Sequence, residues 1–402
     1  MNQHPRIHRG GALKMLVSAG SLAVSGAAVG QAAVPESSPY YIGATVGVER
    51  DSNVHRRSTN VVADTIYSAG VIGGVNVNLG RQRLFADGNA QVNRYQNVSE
   101  LDNKSFAFRG GLDWETIETL SGTLVYDTRD SLNTLTAPDG TTSITDQRTQ
   151  QFAATARYGL ASHLAFDVGY DHRTLEVKSA VGRDFSQDTI STGLRWAVGG
   201  KLTLGLGVRA SRGETETVPV ADETRRRDID LTAIWNSGGF STFNARLSAT
   251  KETHSLSSNP DLSETTGSVG WAYRPSGRLT FSATATRDTG RETTFAPATG
   301  GEGGGEALPV DGSRIGTAFA VDARYELTGK IFLNGNARQR KGTLSTSQSE
   351  AVKGYGLGFS YQPTRSLALR CSANRENRSV SGTSAYEVTF TVTGCTGEVT
   401  LR

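Results

Sequence analysis

The segment Tyr41-Ile42-Gly43-Ala44-Thr45-Val46-Gly47-Val48 places apolar side chains on every second position, and residues 106–114 and 202–208 repeat the pattern. Because successive side chains of a β-strand point to opposite faces, each segment has one apolar face and one polar or small face. A soluble β-sandwich buries its apolar faces against each other. A barrel in lipid turns them outward and surrounds water with the polar faces. The function of the chain depends on which arrangement it adopts.

The composition of the 402-residue chain narrows the possible classes. Only 36% of the residues are hydrophobic, 47 are glycine, and the formal net charge is +3. Such regular alternation is not typical of disordered chains. After residue 33 the sequence has no apolar run of about 20 residues, which a membrane helix requires. The small net charge argues against a nucleic-acid binder, which concentrates basic residues on one surface.

Residues 1–33 are predicted to be a secretory signal peptide. Basic residues precede an apolar core of small residues at 15–29, and Ala32 or Ala33 offers a cleavage site. An N-terminal membrane anchor is the alternative, but the core is short and rich in Ala, Ser and Gly, which favours export with cleavage. The mature chain, residues 34–402, is predicted to form one outer-membrane β-barrel.

Short turns and long polar loops alternate along the mature chain. The eight short turns are centred on Gly80-Arg81 and on residues 115–119, 161–163, 199–201, 237–239, 275–277, 328–330 and 362–364. The nine long loops are predicted near 51–63, 96–103, 130–149, 174–187, 212–227, 251–264, 288–313, 341–351 and 376–385. This pattern predicts an all-β fold, a transmembrane antiparallel β-barrel of about 18 strands, with the short turns in the periplasm.

The tryptophans support this orientation. All four lie on the apolar register where a predicted strand approaches a short turn: Trp114, Trp196, Trp235 and Trp271. Tryptophan favours the membrane–water boundary because its ring is apolar and its N–H needs a partner. We therefore expect these four side chains at the periplasmic membrane interface. In a soluble β-protein the same residues would belong to the core.

The register opposite the apolar face carries charges that lipid would penalise by a few kcal/mol each. We expect these side chains to line a water-filled lumen. The candidates are Arg109, Arg129, Arg157, Arg173, Arg195, Arg209, Arg246, Arg324, Arg338, Asp113, Asp127, Asp167, Asp230 and Asp322. Two interpretations stay open. Inward Arg and Asp on neighbouring strands can pair to stiffen the wall, or the set can tune a hydrated passage, for which eighteen strands leave room.

Cys371 and Cys395 flank the last predicted loop, and a chain exported to the periplasm can oxidise them to a disulfide. However, simple register around the loop 376–385 places Cys371 opposite a residue near Phe390. A bond would then require a bulge or a turned-in tail near Gly394. The pairing stays open at this point.

The sequence contains no catalytic constellation. The histidines outside the signal lack metal-ligand spacing, and no nucleophile elbow, phosphate-binding loop or CxxC motif occurs. The segment 49–53 could bind a cation through its carboxylates, but a polar strand-to-loop turn is the preferred interpretation. We expect no enzymatic activity, no metal and no cofactor.

Two segments resemble a known family. Arg50-Asp51-Ser52-Asn53-Val54, which closes the first strand, and Gly394-Cys395-Thr396 in the last strand are similar to elements of outer-membrane β-barrel porins, in particular the EpsL-like members found with exopolysaccharide gene clusters. The resemblance covers residues 40–402 and implies a role in making or exporting extracellular polysaccharide. The tail departs from the common barrel ending, because it closes on Arg402 and not on an aromatic residue.

The expected function is therefore an outer-membrane β-barrel channel associated with exopolysaccharide biosynthesis and export in a Gram-negative bacterium. Its expected partners are outer-membrane lipid, lipopolysaccharide, polysaccharide, and periplasmic and inner-membrane export proteins, with no nucleic acid. Two alternatives remain: a general diffusion porin for small solutes, and a structural or adhesive surface barrel whose loops carry the function.

Overall fold

The computed structural model describes residues 38–116, 119–136, 142–159, 163–178, 184–216, 221–256, 261–289, 315–345, 348–382 and 385–402. The predicted signal peptide and almost all of the predicted loop 288–313 lie outside these residues. Within these ranges, no helix has the length and hydropathy that a membrane crossing requires.

Eighteen β-strands make up nearly all of the described chain, and this number is the one that the alternation of turns and loops predicts. The strands are β1 Tyr40–Asp51, β2 Asp64–Leu79, β3 Gln82–Tyr95, β4 Asn103–Glu115, β5 Leu120–Thr136, β6 Thr142–Tyr158, β7 Leu164–Val177, β8 Phe185–Val198, β9 Leu202–Thr215, β10 Asp222–Asn236, β11 Ser241–His254, β12 Leu262–Tyr273, β13 Leu279–Thr289, β14 Ile315–Thr328, β15 Ile331–Ser345, β16 Gln348–Tyr361, β17 Leu367–Ser381 and β18 Tyr386–Leu401. One turn of 3-10 helix, Ser99–Leu101, lies between β3 and β4.

The strands form one closed antiparallel barrel. Each strand pairs with the next along the chain, and β1 pairs with β18 from Ile42 opposite Leu401 to Asp51 opposite Val392. Closure leaves no unpaired sheet edge, which is the condition for crossing a membrane with strands. The short connections also have suitable backbones; Gly199 and Gly200, for example, have φ of +60° and +72°, the conformation that tight hairpins require.

The apolar register faces outward. In β1, Ile42 and Val46 are 63% and 65% exposed, whereas the alternating Thr45 and Gly47 are half-buried on the inner side. The same alternation continues around the barrel. A closed antiparallel barrel with an apolar outer face and a polar inner face is an outer-membrane protein, because only lipid covers that face favourably. The location in the outer membrane of a Gram-negative bacterium is therefore confirmed, and the sandwich alternative is excluded.

Several predicted loops are shorter in the structure than the sequence indicated. β5 continues to Thr136 and β6 begins at Thr142, although 130–149 was predicted to be a loop. β17 likewise continues to Ser381, and β18 begins at Tyr386. These extensions lack a continuous apolar outer face, because a strand above the bilayer does not need one while its ladder hydrogen bonds still form. The alternation of apolar and polar residues alone therefore underestimates the length of such strands.

The longer last hairpin also corrects the predicted cysteine register. Cys371 lies directly opposite Cys395, and the two form a disulfide with Cα atoms 4.0 Å apart. Phe390 is instead opposite Glu376. Neither a bulge nor a turned-in tail is needed. The bond joins β17 to β18, the strand that closes the barrel on β1.

The tryptophans lie within two residues of the strand ends that lead to short turns, on the outward register. Phe243 stacks on Trp235 and on Trp271, with ring centroids 5.3 Å and 5.8 Å apart. Trp271 also donates its indole N–H to Ser241 Oγ at 3.3 Å. This aromatic group covers β10–β12 at the periplasmic rim, in the position that we propose for the membrane interface.

The outward register can be tested by placing one charge on each face. Leu231 is 54% exposed near the middle of β10. We expect Leu231→Arg to lower the free energy of unfolding by about 2–4 kcal/mol, because the charge enters the lipid face. The matched variant Asn89→Arg, on the inward register of β3, should cost much less. Urea unfolding in phospholipid vesicles, followed by tryptophan fluorescence, measures both; equal losses would contradict the orientation.

Candidate functional site: the lumen wall

The inward register places most of the predicted lumen charges in pairs across neighbouring strands. Between neighbouring strands, contacts join Arg157 Nε to Asp167 Oδ1 at 2.7 Å, Arg83 Nη1 to Asp113 Oδ2 at 3.2 Å, Arg209 Nε to Asp230 and Asp228 at 3.5 Å and Arg109 Nε to Asp127 Oδ1 at 3.7 Å. Arg246 Nη2 lies 3.7 Å from Asp288 Oδ2 across β12. Arg195 also contacts Asp167, Arg173 contacts Asp171, and Arg338 contacts Glu376. Arg129 shares the inward face of β5 with Asp127.

Several of these pairs follow directly from the hairpin register. Arg157 is opposite Asp167, and Arg109 is opposite Asp127. Opposite side chains of an antiparallel pair have Cβ atoms about 5 Å apart, so opposite charges there meet without rearrangement. The sequence interpretation missed the partners Arg83, Asp228 and Asp288. Arg83 and Asp228 lie directly opposite Asp113 and Arg209, but these strand pairs are joined by the predicted long loops 96–103 and 212–227, so the short turns do not fix their register.

The wall from β9 to β13 carries a continuous buried network toward the extracellular end. Arg226 of β10 donates to Asp228, and its Nη1 also reaches β13, 3.5 Å from Asp288 Oδ1 and 2.8 Å from Thr289 Oγ1. The guanidinium crosses β11 and β12, where small inward residues such as Thr250 and Thr266 leave space for it. A buried charge is tolerated only when paired and hydrogen-bonded, and Arg226 meets that condition.

His254 lies at the upper end of the same network. Its Nδ1 is 2.8 Å from Asp222 Oδ2 and its Nε2 is 3.3 Å from Glu252 Oε1, and all three side chains are buried. Both ring nitrogens can donate only in the protonated imidazole. His254 lies within the predicted loop 251–264, but in the structure it is the last residue of β11. Among the described residues, no group of His, Cys, Asp and Glu has the arrangement of a metal site.

The first extracellular loop, residues 52–63 and called L1 here, folds over the inner side of the mouth. Arg56 Nη1 contacts Asp51 Oδ2 at 2.7 Å, and the Arg56 guanidinium lies 3.7 Å from the centroid of the inward Phe390 ring. Ser52 N donates to Thr391 O at 3.0 Å. L1 is thus fastened to β1 and β18 at the extracellular end of the barrel. Residues 49–51 end β1, and Asn53 N donates to Asp51 Oδ1 at 2.8 Å where the chain turns into L1.

Asp64 anchors the neighbouring loop at the same extracellular end. Burial by itself would raise the pKa of this carboxyl, but the backbone N–H groups of Asn97, Thr65 and Val98 donate to it and hold its pKa below the ordinary value. The Asn97 side-chain amide donates to the same carboxylate at 2.8 Å. The charged form of Asp64 therefore orders the connection between β3 and β4.

The inward face of β16 is a strip of glycines that lets its neighbours lie flat across it. Gly354 is directly opposite Arg338 of β15 on one side and Glu376 of β17 on the other. The Arg338–Glu376 ion pair crosses over it. At the next inward position of β16, a Cβ on Gly356 would lie 2.3 Å from Asn374 Oδ1. Side chains from both sides occupy the space that a side chain of β16 would take.

No family model matches the sequence, and no curated protein matches it. Among solved structures, the chain is similar to OccK2 (OpdF) of Pseudomonas aeruginosa, at 13% identity and a TM-score of 0.47 over 90% of this chain and 98% of that one. The chain is also similar to the outer membrane protein opdK of the same organism, at 13% identity and a TM-score of 0.45 over 90% of this chain and 98% of that one. For the FrpB iron transporter from Neisseria meningitidis the identity is 8% and the TM-score is 0.41, over 89% of this chain and 81% of that one.

The glycine strip yields a matched pair of substitutions. A Cβ on Gly354 would lie 2.8 Å from Arg338 Nε, whereas on Gly358 the nearest atom is 3.6 Å away. We expect Gly354→Ala to displace Arg338 from Glu376 and to lower the free energy of unfolding by about 1–3 kcal/mol. Gly358→Ala should be neutral or slightly stabilising. Urea unfolding of both variants provides the measurement, and indistinguishable midpoints would refute the role of the strip.

Proposed function

We propose that this barrel is an aqueous channel that carries hydrophilic solutes across the outer membrane. The observation that carries the proposal is the exposure of inward polar side chains at mid-height, Arg109, Arg324, Asn336 and Arg338 among them. Those groups lie opposite the lipid-covered face, so the medium that solvates them is water inside the barrel. A barrel of eighteen strands is wide enough to hold such a passage.

The predicted lumen residues act in this proposal as a wall of alternating charge. Since most inward Arg and Asp side chains are paired, the wall presents dipoles of both orientations and no continuous surface of one sign. Such a wall attracts polar solutes without strong preference for anions or cations. The solute passes unchanged, so the role is transport and not catalysis.

L1 is the feature that sets the width of the mouth in this proposal. It lies over the inner faces of β1 and β18, and its Arg56 connects Asp51 to the Phe390 ring. Losing the guanidinium removes one charge-assisted contact and one cation–π contact. The loop would then be released from the wall, and the mouth would widen.

Single-channel recording of the purified full chain in planar bilayers tests the channel and its mouth together. We expect steady ion conductance, and a larger conductance for Arg56→Ala. The matched control is Arg94→Ala, which removes an exposed ion pair with Asp102 on the outer side. An Arg94→Ala channel should conduct like the wild type. Absence of conductance in the wild type would refute the channel, and equal conductance of all three proteins would refute the role of L1.

Export of polysaccharide is the second candidate function. It is supported by the resemblance to EpsL-like barrels, carried by the segment Asp51-Ser52-Asn53 and by the cysteine-containing last strand. In that case the transported material is a secreted polymer, and periplasmic and inner-membrane export proteins deliver it to the lumen.

Deletion of the gene separates the two candidates. An export channel predicts that extracellular polysaccharide falls while uptake of small solutes is unchanged. A diffusion porin predicts the reverse. An adhesive barrel predicts neither change but a loss of surface attachment. Extracellular polymer, small-solute uptake and attachment are measured in the deletion strain, with the wild-type gene restored as the control; unchanged polymer would remove the export function.

A further inference from the structure

Among the described residues, four inward polar side chains of β14 and β15 lie side by side without internal polar partners. Within the described chain, the side chains of Asp322, Arg324, Asn334 and Asn336, called the quartet here, make no hydrogen bond or ion pair with another residue. Most other lumen candidates are paired across strands. The quartet therefore offers polar groups to the lumen without first breaking an internal bond, which is the favourable state for binding a solute.

The register places the quartet in a compact square. Asp322 is directly opposite Asn336, and Arg324 is directly opposite Asn334. Opposite Cβ atoms in such a pair are about 5 Å apart and diagonal ones about 7–8 Å. The square lies near the middle of β14, at the depth where the lumen is surrounded by lipid.

The chemistry of the quartet suits a hydroxyl-rich ring. The carboxylate accepts, the guanidinium donates, and each carboxamide does both. A pyranose ring presents neighbouring hydroxyl groups that also donate and accept. One Asp and one Arg cancel in charge, which favours a neutral sugar over an acidic one. Next to the square, the Arg324 guanidinium lies over the Phe332 ring, 4.4 Å from its centroid, so an aromatic side chain borders the site.

The surroundings of the quartet leave room for a ligand. Arg324 and Asn336 are exposed to the lumen. Two inward neighbours of the quartet are small, Ala320 on β14 and Gly356 opposite Asn336 on β16, while the larger Phe332 and Arg338 border it on β15. Asn374 of β17, which is directly opposite Gly356, supplies a further carboxamide. The wall is thus flat, wet and rich in amide groups, unlike the buried network of β9–β13.

We propose that the quartet binds a neutral pyranose unit of the solute during its passage. The inference rests on the proposed channel function and names the class of solute. The same chemistry fits two sources: a small sugar entering the cell, and a repeating unit of a polymer leaving it.

Sugar block of the ion current tests the site. The purified full chain is recorded in planar bilayers with maltotriose, a short neutral sugar, and separately with a high-molecular-mass dextran, a neutral polymer. We expect both the wild type and Asn89→Ala to show a saturable block. The Asn89 side chain is an exposed inward amide on β3, so this variant is the matched control. Asp322→Ala and Asn336→Ala should each weaken the block about tenfold, the effect of losing one hydrogen-bonded group, with the open-channel current retained.

The outcomes separate this inference from the channel itself. A wild-type channel that conducts but is blocked by neither sugar, or equal weakening in the quartet variants and in Asn89→Ala, overturns the sugar site and leaves the channel intact. If no current flows, the channel fails, and calorimetric titration of maltotriose into the detergent-solubilised barrel decides the sugar site alone. Block by maltotriose from the extracellular side assigns the site to uptake, and block by dextran from the periplasmic side assigns it to export.

Discussion

The pairing of β1 with β18 is the interaction on which the whole structure depends. In hydrocarbon an unpaired backbone N–H or C=O costs several kcal/mol, so strands cross a membrane only when the sheet closes on itself. Here the closing ladder runs from Ile42 to Asp51 on β1. The Cys371–Cys395 disulfide fastens β18 to β17 beside that closure. Once the sheet is closed, the alternation of side chains separates lipid from water.

Closure also explains why so many charged residues are compatible with a membrane location. Inward side chains of adjacent strands lie next to each other, and opposite charges such as Arg157 and Asp167 are directly opposite in the strand pairing. The wall nevertheless has two regions. Between β9 and β13, Arg226 and Asp288 join strands that are not neighbours, and the network is buried. On β14 and β15, polar groups remain open to the lumen. The first region holds the barrel shape, and the second is available to a solute.

Small residues and a short motif control the shape of the lumen as much as charges do. Gly354 and Gly356 let side chains from both neighbouring strands lie across β16. The segment Asp51-Ser52-Asn53, which carries the family resemblance, has a structural role. Asp51 accepts from Asn53 N at 2.8 Å and contacts Arg56, so the motif turns L1 inward over the mouth.

The sequence alone determined the class of fold, the number of strands and the face that meets lipid. These follow from a period of two and from glycine-rich turns, which are local properties of the chain. It did not determine where the strands end above the membrane, because polar strands and polar loops have the same composition. The register of Cys371 with Cys395 was therefore wrongly predicted, and so was the length of the loop between β5 and β6. Only the closed barrel decided which charges pair, because partners such as Arg226 and Asp288 lie three strands apart and 62 residues apart in the chain. The same closure left the quartet on β14 and β15 unpaired, a property that depends on every neighbouring strand at once.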